Sequence, residues 1–97
     1  SEILTVENRL AAREAAVKSF VLLKNDKQLL PLKKSGSVAL VGPLADNLKD
    51  PMGTWFVAGD WNKSVTVLRG FENVLGSAVK VNYALGANIT EDHMLLA

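Results

Sequence analysis

Apolar positions along this chain change period several times, and the changes divide it into elements. Thr5 is placed to cap a helix, because its hydroxyl can accept from a free amide of the first turn. Behind it, from Val6 to about Ser19, the chain is rich in Ala, Leu, Arg and Glu, all good helix formers. Val6, Leu10, Val17 and Phe20 are separated by four, seven and three positions, which lines them along one stripe of that helix. Arg13 falls inside the stripe, and two readings stay open for it. Its stem packs while the guanidinium reaches a carboxylate at the edge, or it forms a buried ion pair that fixes the helix to a neighbour. Glu14 and Lys18 stand four apart in the favourable order for a surface pair.

Phe20-Val21-Leu22-Leu23 breaks the helical period with bulky and β-branched side chains, predicting a short strand. Asn25-Asp26-Lys27-Gln28 carries turn chemistry. Leu29-Leu30-Pro31-Leu32 is apolar, but Pro31 cannot donate to a ladder, so an edge or extended lead-in is expected. After the polar connector Lys33 to Ser37 comes Val38-Ala39-Leu40-Val41, halted by Gly42-Pro43. A short apolar run between turn residues predicts a central strand buried on both faces. The stretch from Leu44 to Lys63 shows no sustained period, although a brief helical turn near Ala45 to Lys49 is expected. Ser64 or Thr66 can cap the next helix, on which Val67, Leu68, Phe71, Val74 and Leu75 share a face, with Gly76 as its stop. Ser64 to Leu68 also reads as a strand in isolation; the helix is preferred because its pattern runs on to Leu75. Gly70 inside that helix costs about 1 kcal/mol relative to Ala, which predicts close packing on a sheet. Ala78 to Ala84 alternates and predicts a second strand. Strand, long loop, helix and strand make a βαβ unit with parallel strands and a right-handed crossover. Ligands in such sheets sit beyond the carboxyl ends of the strands, which directs attention to Gly42 through Trp61.

Composition narrows the function. Ninety-seven residues, nearly half apolar and 22% charged, describe a globular chain, either one small domain or a piece of a larger one. A net charge of +1 with dispersed basic residues gives no electrostatic case for nucleic acid or an anionic membrane surface. No apolar run approaches the ~20 residues that span a bilayer. The opening Ser1-Glu2-Ile3-Leu4 does not read as a signal peptide, so the expectation is a cytoplasmic protein or one whose first part is missing. The apolar His93-Met94-Leu95-Leu96-Ala97 reads as the start of a further helix, which favours a fragment. Without cysteine, neither disulfides nor thiolate metal sites are available.

Candidate chemistry is sparse. His93 is the only histidine, so a histidine-based metal site or triad lacks partners, and neither a metal nor a cofactor is expected. No glycine pattern suited to a phosphate is present. Asp46, Asp50 and Asp60 share the long loop, where paired carboxylates can do acid–base work but loop aspartates more commonly cap turns. Trp55, between Gly53-Thr54 and Phe56, has two open readings. It stacks on the C–H face of a sugar and donates its indole N–H to a hydroxyl, or it anchors its own loop to the core.

Several stretches in order resemble glycoside hydrolase family 3. They are Ala12-Arg13-Glu14-Ala15-Ala16, Ser19 to Asn25, Leu29-Leu30-Pro31-Leu32, Val38 to Asp46, Met52-Gly53-Thr54-Trp55 and Ser64 to Gly70. The resemblance covers about Asn8 to Ala87 and is nearest to the periplasmic β-glucosidase type. It implies a retaining β-glucosidase acting on a β-glucoside or oligosaccharide, with a barrel domain followed by an α/β sandwich built on a largely parallel six-stranded sheet. This chain then corresponds to a partial α/β sandwich, with residues 1–35 as interdomain helix and lead-in strand and residues 36–97 as the first part of the C-terminal domain. The family's nucleophile and acid/base residue are expected outside this chain, so no catalytic residue is assigned. Trp55 matches the aromatic residue bordering the aglycone side of the pocket, although Thr54 stands where relatives often have Ser or Gly. Asp46 matches a frequent family residue without inheriting a catalytic role. A periplasmic or secreted location is likewise implied. The rival expectation is a freestanding carbohydrate-binding or interaction module without catalysis. An unfinished sheet further predicts self-association of the isolated chain.

Overall fold

The computed structural model describes residues 3–90, and the expectations placed on His93 to Ala97 lie outside them. The chain divides into two compact units, Ser1–Leu32 and Lys33–Ala97.

The first unit is built on helix α1, Val6–Ser19, which begins and ends where its residues direct. Thr5 Oγ1 accepts from the Asn8 amide at 3.2 Å, satisfying a donor of the open first turn. Glu7 in the first turn and Lys18 in the last complement the helix dipole. Lys18 Nζ donates to Glu14 Oε1 at 2.7 Å, a solvent-exposed pair worth a few tenths of a kcal/mol. The stripe of Val6, Leu10, Val17 and Phe20 is exposed throughout, and α1 buries no residue. Arg13 is exposed as well and has no ion pair among the described residues, so neither of its expected roles is seen. Both required a neighbouring element over the stripe, and the described residues of the first unit lay none there.

Phe20 to Leu23 forms no strand. Phe20 has extended backbone, φ −70° and ψ 134°, but a strand requires a hydrogen-bonded neighbour and this segment has none; all four side chains are exposed. The turn that follows is as expected, a single 3-10 turn at Asp26–Gln28 in which Lys27 and Gln28 take left-handed φ of 56° and 53°. Asn25 holds the turn closed: its Oδ1 accepts from the Leu30 amide and its Nδ2 donates to the Leu30 carbonyl, both at 2.9 Å. The Leu30–Pro31 peptide is cis. Leu29 to Leu32 stays outside any sheet.

The second unit is a parallel βαβ element. Strand β1, Gly36–Val41, pairs with β2, Val79–Ala84, from Gly36 opposite Val79 to Val41 opposite Ala84. Between them helix α2, Val67–Leu75, packs on β2. Gly76 ends it with φ 57°, a conformation glycine adopts without Cβ strain, and its N–H returns to the Glu72 carbonyl. With α2 packed on its partner β2, β1 is half-buried at Val38 and Leu40 and exposed at Ala39 and Val41, so it is not buried on both faces. Nor does Gly70 mark a tight contact, because a Cβ built there meets nothing within 4 Å. Both corrections have one cause: among the described residues a single layer covers a single face of the sheet.

What ties the unit together lies at the start of α2. Thr66 is the only buried polar residue among the described ones, 3% exposed. Its Oγ1 accepts from the Arg69 amide at 3.1 Å as N-cap and donates to Asp46 Oδ1 at 3.0 Å. Two residues further on, the Leu68 amide donates to the carbonyl of buried Ala45 at 2.9 Å. These bonds tie the segment leaving β1 to the first turn of α2. Replacing Thr66 by Val removes both hydroxyl bonds and buries an unfilled amide. We expect Thr66→Val to lose about 1–2 kcal/mol, read as a lower urea midpoint of the isolated chain, with Thr66→Ser keeping most of the stability. Equal midpoints for wild type and Thr66→Val would refute this role.

Candidate functional site

Leaving β1, the backbone turns at once. The Gly42 amide extends the parallel ladder by one bond, to the Ala84 carbonyl at 3.1 Å, and the Gly42 carbonyl accepts from Ala45 at 3.2 Å. The loop from Leu44 to Lys63 therefore begins at the carboxyl end of β1, where ligands of parallel sheets are bound.

Its outward leg is shaped by Asn47. The side-chain oxygen accepts from the amides of Lys49 and Asp50, both at 2.9 Å, and Nδ2 donates to Asp50 Oδ2 at 2.9 Å. A 3-10 turn follows at Asp50–Met52 rather than at Ala45 to Lys49. Pro51 explains the displacement, since its fixed φ suits the first turn of a helix. The Gly53 amide closes the turn onto the Asp50 carbonyl at 2.9 Å. Gly53 itself has φ 75° and ψ −178°, a region nearly restricted to glycine, and this conformation redirects the chain into Thr54 and Trp55.

The return leg is equally organised. Asp60 Oδ1 accepts from the Asn62 amide at 3.0 Å and caps a 3-10 turn at Trp61–Lys63. Trp61 stands edge-to-face with Phe56, ring centroids 6.4 Å apart and planes at 78°. Lys49 Nζ lies 5.8 Å from the centre of the Trp61 ring. The ring pair contributes about 0.5–1.5 kcal/mol and an exposed cation–π contact about 0.5–1 kcal/mol. Gly59 fills the remaining space, for a Cβ there would collide with Met52 Cε and press on Phe56.

Trp55 belongs to none of this. It is 93% exposed and has no hydrogen bond or ring partner among the described residues, and nearby Val57 is 98% exposed. Within the loop, Trp61, at 42% exposure, meets Phe56 and Lys49, whereas Trp55 is left exposed. An indole presented in this way can stack on an apolar face and donate a hydrogen bond at once.

The three loop aspartates do not form a catalytic group. Asp46 is engaged by Thr66, Asp50 by Asn47 and Asp60 by the backbone and side chain of Asn62. Each serves locally, the role ordinary for loop aspartates. No group of three or more His, Cys, Asp or Glu side chains among the described residues is placed to hold a metal ion. No helix among them is long and apolar enough to cross a membrane. Sequence reasoning missed Asn47, Lys49 and Trp61. Asn47 had a signal in its spacing to Asp50, three positions on, which suits an Asx turn; Trp61 had one in being flanked by Asp60 and Asn62, both turn formers.

Residues 20–97 match the model of the glycosyl hydrolase family 3 C-terminal domain. A periplasmic beta-glucosidase of Salmonella typhimurium is 58% identical over 85 residues, covering 88% of this chain and 11% of that protein. A beta-xylosidase of Formosa agariphila is 41% identical over 88% of this chain and 13% of its own length. A probable beta-D-xylosidase of Arabidopsis thaliana is 36% identical over 91% of this chain and 11% of its own. The chain thus spans little more than a tenth of these relatives, all of which bear the names of glycosidases. With its parallel βαβ unit matched along with the loop it carries, this chain belongs to glycosyl hydrolase family 3, within the C-terminal domain.

Proposed function

We propose that this chain is a segment of a larger retaining β-glucosidase that hydrolyses terminal β-D-glucosyl residues, and that it supplies scaffold and one sugar-contacting loop. The observation that carries the reading is Trp55, exposed on a braced loop beyond the carboxyl end of β1. A glucosyl substrate is favoured over a xylosyl one because the relative at 58% identity is named a beta-glucosidase, whereas those named xylosidases stand at 41% and below. In this reading the parent contains a barrel domain and the remaining strands of a six-stranded sheet. It works in the periplasm or outside the cell, in keeping with the name of that relative.

Retaining hydrolysis needs two carboxyl groups roughly 5–5.5 Å apart across the scissile bond, one attacking the anomeric carbon while the other protonates the leaving oxygen. Asp46, Asp50 and Asp60 are each occupied by a local partner, which supports placing both groups elsewhere in the parent. What this chain contributes is binding. The indole of Trp55 stacks on the apolar face of the sugar or its aglycone and orders it for attack.

Three outcomes follow. The isolated chain should not hydrolyse an aryl β-glucoside above the blank; measurable turnover would refute the placement of the carboxylates. In the full-length enzyme, Trp55→Ala should raise KM about tenfold with a smaller change in kcat, the mark of lost ground-state contact; an unchanged KM would remove Trp55 from the site. Saturable quenching of the isolated chain's tryptophan fluorescence by cellobiose, abolished in Trp55→Ala, would instead favour a freestanding sugar-binding module. The exposed Phe20 to Leu23 and the uncovered face of β1 further lead us to propose that the isolated chain self-associates. Sedimentation should show species larger than a monomer as concentration rises, and a monomer at every concentration would refute it.

A further inference from the structure

The long loop has a division of labour that the Trp55 reading does not use. Its outward leg contributes Lys49, the segment just after its tip contributes Phe56, and its return leg contributes Trp61; these three meet at one ring. Trp61 accepts the Lys49 ammonium over its ring at 5.8 Å and stands edge-to-face with Phe56 at 6.4 Å. Phe56 is the immediate neighbour of Trp55, so whatever holds the Phe56 ring also limits the backbone from which the Trp55 indole projects. The side-chain hydrogen bonds between Asn47 and Lys63 act within one leg: Asn47 with Lys49 and Asp50, and Asp60 with Asn62. Beyond the joint at its base, where Thr66 and Leu68 bond to Asp46 and Ala45, the Trp61 ring and the Met52–Gly59 approach are the described contacts that span from one leg to the other.

We propose that Trp61 is a positioning residue for substrate binding: clamped between Lys49 and Phe56, it closes the loop and fixes the orientation in which Trp55 meets the sugar. The inference rests on the reading of Trp55 as the sugar contact. Trp61 need not touch the ligand, and because it neighbours no carboxylate assigned to the reaction, its loss loosens binding and leaves the chemical step in place. The ring is required for two reasons. Its edge-to-face contact needs an aromatic partner for Phe56, and its face supplies the negative quadrupole that attracts Lys49. Phenylalanine can provide both in weaker form, while leucine provides bulk and neither.

The test uses the full-length enzyme with 5-fluorotryptophan incorporated, the Trp55 resonance being assigned by its disappearance in Trp55→Phe. Trp61→Leu is expected to raise KM for an aryl β-glucoside by about five- to tenfold, with kcat within about twofold, and to shift or broaden the Trp55 fluorine resonance. Trp61→Phe is expected to restore both readouts to within about twofold of wild type. An unmoved Trp55 resonance in Trp61→Leu overturns the proposal, as does a fall in kcat with KM intact. Should Trp61→Leu fail to accumulate, Lys49→Met removes only the exposed cation and is judged by the same resonance. If Trp55→Ala leaves KM unchanged, the sugar-contact reading fails on its own, and the fluorine shift still decides whether Trp61 positions Trp55.

Discussion

The hydroxyl of Thr66 is the junction on which the second unit depends. A single oxygen caps α2 through Arg69 and reaches back to Asp46 at the exit of β1, and it does so from a buried position. Burial matters here because a hidden polar group without partners is costly, so the arrangement is strongly favoured over looser ones. With the Leu68–Ala45 bond beside it, strand exit and helix entry become one joint. Everything between, from Asn47 to Ser64, is a loop whose two ends are pinned at the same place. That is a condition under which a long irregular segment can hold one shape, because the entropy of bringing its ends together is already spent.

Within that frame the loop sorts its residues by task. Asn47, Asp50 and Asp60 shape the backbone through short-range hydrogen bonds, while Lys49, Phe56 and Trp61 join its legs through a ring contact and a cation. Trp55 and Val57 are left to solvent. The conspicuous aromatic residues of the segment therefore divide into a brace and a display. Sugar recognition draws on flat apolar surface together with a few hydrogen bonds, and a displayed indole carries both.

The elements with strong local signals were legible from the residues. Thr5 caps the first helix and Thr66, one of two candidates with Ser64, the second; Gly76 ends the second, and the apolar runs at Val38 and Val79 pair in parallel. Each signal is completed within a few residues or by the βαβ rule. What failed had a common source. Phe20 to Leu23, the interior stripe of α1, the second face of β1 and the packing inferred from Gly70 all call for a neighbour that the described residues of their own unit do not provide. Hydrophobicity announces that a surface is to be covered without naming the cover. Within the loop, Trp55 and Trp61 have equal weight by composition, and their separation into exposed and braced follows from side-chain geometry. A ring contact between residues five apart in an irregular segment leaves no periodic trace in the sequence.

Gly53 carries a consequence of its own. Its φ of 75° with ψ near 180° turns the chain toward Trp55 by backbone conformation alone, without help from the tryptophan side chain. The path of the loop and the surface it offers are thus encoded at different positions. The ring at position 55 can be exchanged for another contact surface without rewriting the fold beneath it, whereas a side chain at position 53 would strain the turn that carries it. If position 55 meets a sugar, as proposed, such a separation lets one scaffold be retuned among related ligands by few substitutions, provided the glycine stays.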